Sequence, residues 1–135
     1  MEKILVGIDG SEGSEQALNR AMMLIDENGE IILIAVIPTP HDKTLLDNEM
    51  YEKIKKKAEV MINDVISDLG VHDFKITGMI EEGDPAGKII DVASRLNVDL
   101  IVLGSRGTSE LATYTIGSIA NKVVQYAHKP VMVVR

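Results

Sequence analysis

Two glycine-bearing segments carry residue types and spacings suited to holding phosphate. One reads Gly7-Ile8-Asp9-Gly10-Ser11-Glu12-Gly13-Ser14. The other reads Gly104-Ser105-Arg106-Gly107 and then, after nine residues, Gly117-Ser118. Gly104 and Gly107 let the backbone come close to an anion and tolerate positive φ. Gly117 and Ser118, opening a helix, offer N–H groups and a hydroxyl where the helix dipole favours negative charge. Such a site holds phosphate without a lysine. Any one of these glycines is more simply a turn former, and Ser118 alone a helix cap. The weight lies in the whole pattern.

The elements that must position these segments are legible as alternating periodicities. Five apolar runs, Lys3 to Ile8, Ile31 to Ile37, Phe74 to Glu81, Leu100 to Leu103 and Val131 to Val134, alternate with four helical stretches. Four of the runs are almost continuously apolar, as in strands buried on both faces. The third alternates Phe74, Ile76 and Ile80 with Lys75, Thr77 and Met79, as in a half-exposed edge strand. Ala17, Leu18, Ala21, Met22 and Ile25 stripe the first helix, and Tyr51, Ile54, Ala58, Met61, Ile62, Val65 and Leu69 the second. Ile89, Ala93 and Leu96 stripe the third, and Ile116, Ile119, Ala120, Val123 and Ala127 the fourth. Asp84-Pro85 caps and opens the third. Gly29 and Gly70 fall where left-handed residues end helices. Pro38 to Asn48 is predicted to be a loop.

Alternating strands and helices imply one α/β domain over residues 1–135: a doubly wound, five-stranded parallel sheet of order 3-2-1-4-5. Strand order reverses between strands 1 and 4, and their carboxyl ends are where a ligand crevice is expected. Both glycine segments lie there.

Composition narrows the classes. The chain has 135 residues, a net charge of -7 and no cysteine. An acidic surface works against nucleic acid and anionic membrane, and thiolate chemistry is excluded. Ile4-Leu5-Val6 is too short an apolar run for a signal peptide or a membrane span, so a cytoplasmic protein is expected. His41, His72 and His128 share no metal-ligand spacing. Lys55-Lys56-Lys57 reads as the outer face of a helix, and the methionines read as core filler.

The spacing Gly-x2-Gly-x9-Gly-Ser, met by Gly104, Gly107, Gly117 and Ser118, resembles the ATP-binding signature of the universal stress protein family (the UspA-like proteins). Ile4 to Ser11 is similar to that family's first strand and turn. Gly83-Asp84-Pro85-Ala86 is similar to its third-helix entry, and Lys129 to Val134 to its last strand. The resemblance implies an adenine nucleotide, ATP or ADP with Mg²⁺, as ligand. It places Gly7, Ile8 and Asp9 along nucleoside and phosphates, with Asp9 the one candidate metal contact, and Val36 at the adenine. Leu103, Gly104, Ser105, Arg106 and Gly107 would hold ribose and phosphates, helped by Gly117, Ser118, Ile119 and Ala120. Many ATP-binding members carry a hydroxyl where this chain has Ala120. The resemblance also implies a homodimer through Val131, Met132, Val133 and Val134.

The function so implied is a nucleotide-dependent stress-response module. The sequence offers no Walker lysine and no evident general base, so hydrolysis or autophosphorylation would be slow at most. Two further readings stand beside it. One is an adenylating or ATP-hydrolysing enzyme of the ATP-pyrophosphatase superfamily, whose paired-glycine loop Gly10 to Ser14 matches poorly. The other is a family member that binds protein and no ATP. A phosphoreceiver domain fits worse, because Asp9 has no acidic neighbour. Asp9 itself is either a turn former and helix cap or a ligand contact. A bulky side chain at Gly104 or Gly117 is expected to abolish nucleotide binding and leave the fold intact.

Overall fold

Strand and helix alternate along the whole described chain. The order is β1 (Lys3–Gly7), α1 (Glu12–Leu24), β2 (Glu30–Ile37), α2 (Leu45–Leu69), β3 (Lys75–Glu82), α3 (Pro85–Arg95), β4 (Leu100–Gly104), α4 (Ile116–Tyr126) and β5 (Val131–Val134). These are the elements of a computed structural model that describes residues 1–39, 45–105 and 116–135. Every strand pairing is parallel and the order is β3-β2-β1-β4-β5, as the alternation of apolar runs and helices requires.

The period-two geometry of the strands splits the interior into two layers. Leu5 pairs with Ile32 on one side and Ile101 on the other. With Ile34 and Leu103 they lie under Ile89 and Val92 of α3 and Val123 of α4. Their neighbours Ile4, Val6, Ile31, Leu33 and Val102 turn the opposite way, against Ala17, Leu18 and Ala21 of α1 and Ile62 of α2. Apart from Lys3 and Glu30 at their amino ends, β1, β2 and β4 carry no charged residue, because each face has its own helical cover. The edge strand β3 uses both faces more lightly, with Ile76 and Ile80 on the α1–α2 side and Met79 on the α3 side. A Cβ at Gly78 would lie 2.2 Å from Ile62 Cγ2. The missing side chain is what lets α2 descend onto β3.

Local signals explain the helix ends, with some corrections. Asp84 caps α3 by accepting from the Gly87 N–H, and Pro85 follows it. Gly70 takes the left-handed conformation expected of it, at φ 71°. After α1 that role falls to Asn28, at φ 67°, and not to Gly29. Asparagine tolerates this region better than most residues, whereas a Cβ at Gly29 would crowd the Asp26 carbonyl at 2.9 Å. The predicted loop from Pro38 to Asn48 is also corrected, since α2 is already helical at Leu45. Met1, Met23 and Met50 are exposed, so these three are not core filler. Among the described residues no helix is long and apolar enough to cross a membrane.

At the amino edge of the sheet, the Asp99 carboxylate accepts the N–H groups of Glu2 and Lys3 at 2.8 and 3.0 Å. It thereby ties the turn before β4 to the start of β1. The Lys3 and then the Glu2 N–H hold its pKa below the ordinary 3.8. A depressed folded-state pKa gives stability that is complete above the unfolded value and is lost as pH falls through the folded one. Denaturation of Asp99→Ala beside the parent protein should show its full deficit near neutrality, shrinking as the acid range is entered. A deficit independent of pH would mean that the charge contributes nothing.

Candidate functional site

Beyond the carboxyl ends of β1 and β2 the two helical layers part and leave a cleft of about 670 Å³. Its floor is Gly7 and Ile8 at the end of β1 with Ile34 to Pro38 at the end of β2. One wall is a face of α2 bearing Ile54, Lys57, Ala58 and Met61. The other is Gly83, Pro85 and Ile89 from the turn into α3, joined by Ile119 of α4. Two glycines shape the rim. Gly10 has φ 83°, and a Cβ there would touch Met61 Sδ at 3.2 Å. Gly83 has φ 129°, a conformation L side chains rarely adopt, and its N–H closes onto the Ile37 carbonyl at 2.9 Å.

Asp9 is the one acidic residue of the lining among the described residues. One carboxylate oxygen, Oδ1, accepts the Ser11 N–H at 2.9 Å and the Ser11 hydroxyl at 2.5 Å. This closes the Asx turn that carries the chain from β1 into α1. Ser11, not Asp9, caps α1, accepting the Ser14 N–H at 3.2 Å. Buried Ser14 backs the turn, its hydroxyl donating to the Ser11 carbonyl at 3.0 Å. Asp9 is thus held rigidly from one side only. Its other oxygen, Oδ2, is buried and has no hydrogen-bond partner among the described residues. An orphaned buried acceptor is costly and uncommon in folded proteins, and this one belongs to a residue of the cleft.

Of the residues singled out in the sequence, Gly7, Ile8, Asp9, Val36 and Ile119 come together in this lining. Others are placed differently. Leu103 is wholly buried between sheet and helices, and Ala120 is in the same layer. The Ser105 N–H donates to the Val134 carbonyl at 2.7 Å. Ser118 is exposed and Gly117 sits in the first turn of α4. Arg106 and Gly107 lie outside the described residues. Gly104 has a packing reason of its own: a Cβ there would stand 2.6 Å from both the carbonyl carbon and the oxygen of Gly13. The fold-neutral substitution expected at Gly104 is therefore corrected, because α1 rests directly on that backbone.

The sequence reading missed the α2 wall. Lys57 lines the cleft, so the lysine run is not wholly an outer face. The signal was present in the spacing: Ile54, Lys57, Ala58 and Met61 stand at steps of three, one and three, on one face of a helix. Gly83 and Pro85 were legible only as a helix entry. Of the histidines, His72 stacks on Phe74 with centroids 4.8 Å apart, and His41 lies outside the described residues. Among the described residues no group of three or more His, Cys, Asp or Glu side chains could hold a metal ion.

A parallel sheet wound on both faces, with a mainly apolar cleft and a carboxylate at its carboxyl edge, defines a doubly wound α/β domain with a candidate ligand cleft. The chain belongs to the universal stress protein family, whose model matches residues 1–135. It is 31% identical over 141 residues to a protein of Staphylococcus aureus (strain USA300) that carries the universal stress protein name, covering 99% of this chain and 84% of that one. Among solved structures, the hypothetical protein MJ0577 is 32% identical with a TM-score of 0.80, over 98% of this chain and 94% of that one. A universal stress protein family protein from Arabidopsis thaliana, solved with AMP bound, shares the fold at 17% identity, with a TM-score of 0.70 over 99% and 91% of the two chains.

Proposed function

We propose that this protein is an ATP-binding member of its family, a cytoplasmic regulatory module whose state follows nucleotide occupancy and whose hydrolysis is slow or nil. The observation that carries the reading is Asp9 Oδ2, a buried acceptor without a partner among the described residues, in a mainly apolar cleft. A nucleoside supplies what this arrangement lacks, namely a flat apolar body with hydroxyl and amino donors at its edge. Val36, Ile8 and Ile119 suit the base, and Asp9 suits a donor. The glycine pattern from Gly104 to Ser118 suits the phosphates. Family membership supports the reading, and so does the AMP held by the Arabidopsis protein of the same fold.

Mg²⁺ accompanies ATP and takes most of its ligands from phosphate and water. Asp9 is the acidic group at hand, which fits a metal brought in by the nucleotide better than one held by protein alone. Among the described residues no histidine lines the cleft, and its titratable groups are Asp9 and Lys57. That sparse set favours binding over turnover. Strand β5 forms a sheet edge with Val133 40% exposed, and an uncovered apolar edge invites pairing. We infer a two-fold homodimer through Val131, Met132, Val133 and Val134.

The test is to denature the purified protein, identify any released nucleotide by chromatography, and titrate the emptied protein with ATP and Mg²⁺. Co-purified adenine nucleotide or a saturable ATP signal is expected. Neither would move the protein to the non-ATP-binding, protein-interaction reading. Sedimentation of the same preparation should give the mass of two chains, and a one-chain mass would remove the dimer.

A further inference from the structure

Lysines 55, 56 and 57 are consecutive on α2, and successive helical residues are turned by about 100° from one another. Only Lys57 among them lies on the face shared with Ile54, Ala58 and Met61, and only Lys57 lines the cleft. It is also the sole cation of that lining among the described residues. No ion pair or hydrogen bond engages its ammonium among them. At the end of β3, Glu82 accepts from the Tyr51 hydroxyl, and Glu81 pairs with Arg95 at 2.9 Å. Asp9 spends one oxygen on Ser11. The chain as a whole carries a charge of -7, so an anion approaching the cleft meets a repulsive field that this ammonium offsets locally.

We infer that Lys57 is a specificity-determining residue of the cleft, favouring adenine nucleotides over the uncharged nucleoside. The inference rests on the nucleotide reading above and deepens it. Lys57 acts by charge from the α2 wall, on the opposite side of the cleft from α3 and α4, and needs no bidentate contact. The competing role for such a lysine is structural, its methylene stem covering the apolar wall while the ammonium stays in water. The two roles separate when the charge is removed and the stem kept.

The experiment measures the dissociation constants of adenosine, AMP and ATP for the intact protein, Lys57→Met and Lys57→Arg by calorimetry at low and moderate salt. Lys57→Met should weaken ATP roughly three- to tenfold, the range of a partly screened charge, and leave adenosine unchanged. Lys57→Arg should restore ATP, and added salt should narrow the gap. Equal weakening of adenosine and ATP in Lys57→Met, or no weakening of either, overturns the inference while the nucleotide reading stands. A parent protein that binds adenosine as tightly as ATP does the same. A parent protein that binds none of the three overturns the nucleotide reading and this inference with it.

Discussion

Asp9→Asn should weaken ATP binding roughly 10- to 100-fold, the loss expected of a hydrogen bond to a charged group. Folding stability should change by less than about 1 kcal/mol. The asymmetry of the Asp9 carboxylate dictates this outcome. Its Oδ1 is committed to the Ser11 N–H and hydroxyl, and an asparagine oxygen can keep both bonds. The amide nitrogen then falls on the position of Oδ2, where a buried acceptor waits for a donor. A donor would face a donor, and the turn into α1 would survive. Calorimetric titration with ATP, alongside thermal unfolding by circular dichroism, checks both halves. Unchanged affinity in a folded variant would mean that Oδ2 serves the protein and not its ligand.

Gly104→Val should cost about 3 kcal/mol or more, the upper range for overpacking against something that cannot yield. The obstacle is backbone, not a flexible side chain: the Gly13 carbonyl carbon and oxygen, both 2.6 Å from any Cβ at Gly104. Relief requires moving the first turn of α1 away from β4, and that turn also carries the Ser11 cap and the Asp9 loop. Total stability of domains this size is only about 5–15 kcal/mol, so the variant should express poorly and melt early. The chain has no tryptophan, so urea unfolding is best followed by far-ultraviolet circular dichroism. Loss of nucleotide from such a variant would say nothing about phosphate contacts. A native melting profile would show that α1 can lift from β4 at little cost.

The sheet was readable in advance because its central strands are buried twice over. β1, β2 and β4 must be apolar on both faces, and a half-polar third run could only lie at the edge. The cap at Asp84-Pro85 was readable for a different reason, since local chemistry decides it. What the sequence could not convey was governed by contacts between distant segments. Gly104 is glycine because of Gly13, and Gly78 because of Ile62. Neither pairing leaves a trace in local periodicity. Asn28 displaced Gly29 as the left-handed residue because Gly29 is pinned against Asp26. Lys57 was hidden by its neighbours: a triple lysine reads as a solvated face until the angle of α2 over the sheet is known. Within the cleft, Asp9 was legible from its place after β1 and Val36 only through the family resemblance, whereas the α2 residues shared a helical face whose aim at the cleft no local pattern could give.

The lining of the cleft is not separate from the interior. Ile34, Ile89 and Ile119 belong to one core layer, and Ile8 and Ala35 to the other. Whatever fills the space between them completes the packing of both. Occupancy therefore feeds directly into unfolding: a ligand present at a hundred times its dissociation constant adds about 2.7 kcal/mol. Degradation by proteases that attack the opened chain slows in proportion to that population shift. Cellular abundance of this protein would then track the concentration of its ligand with no change in synthesis, the molecule lasting while the cleft is filled and clearing once it empties.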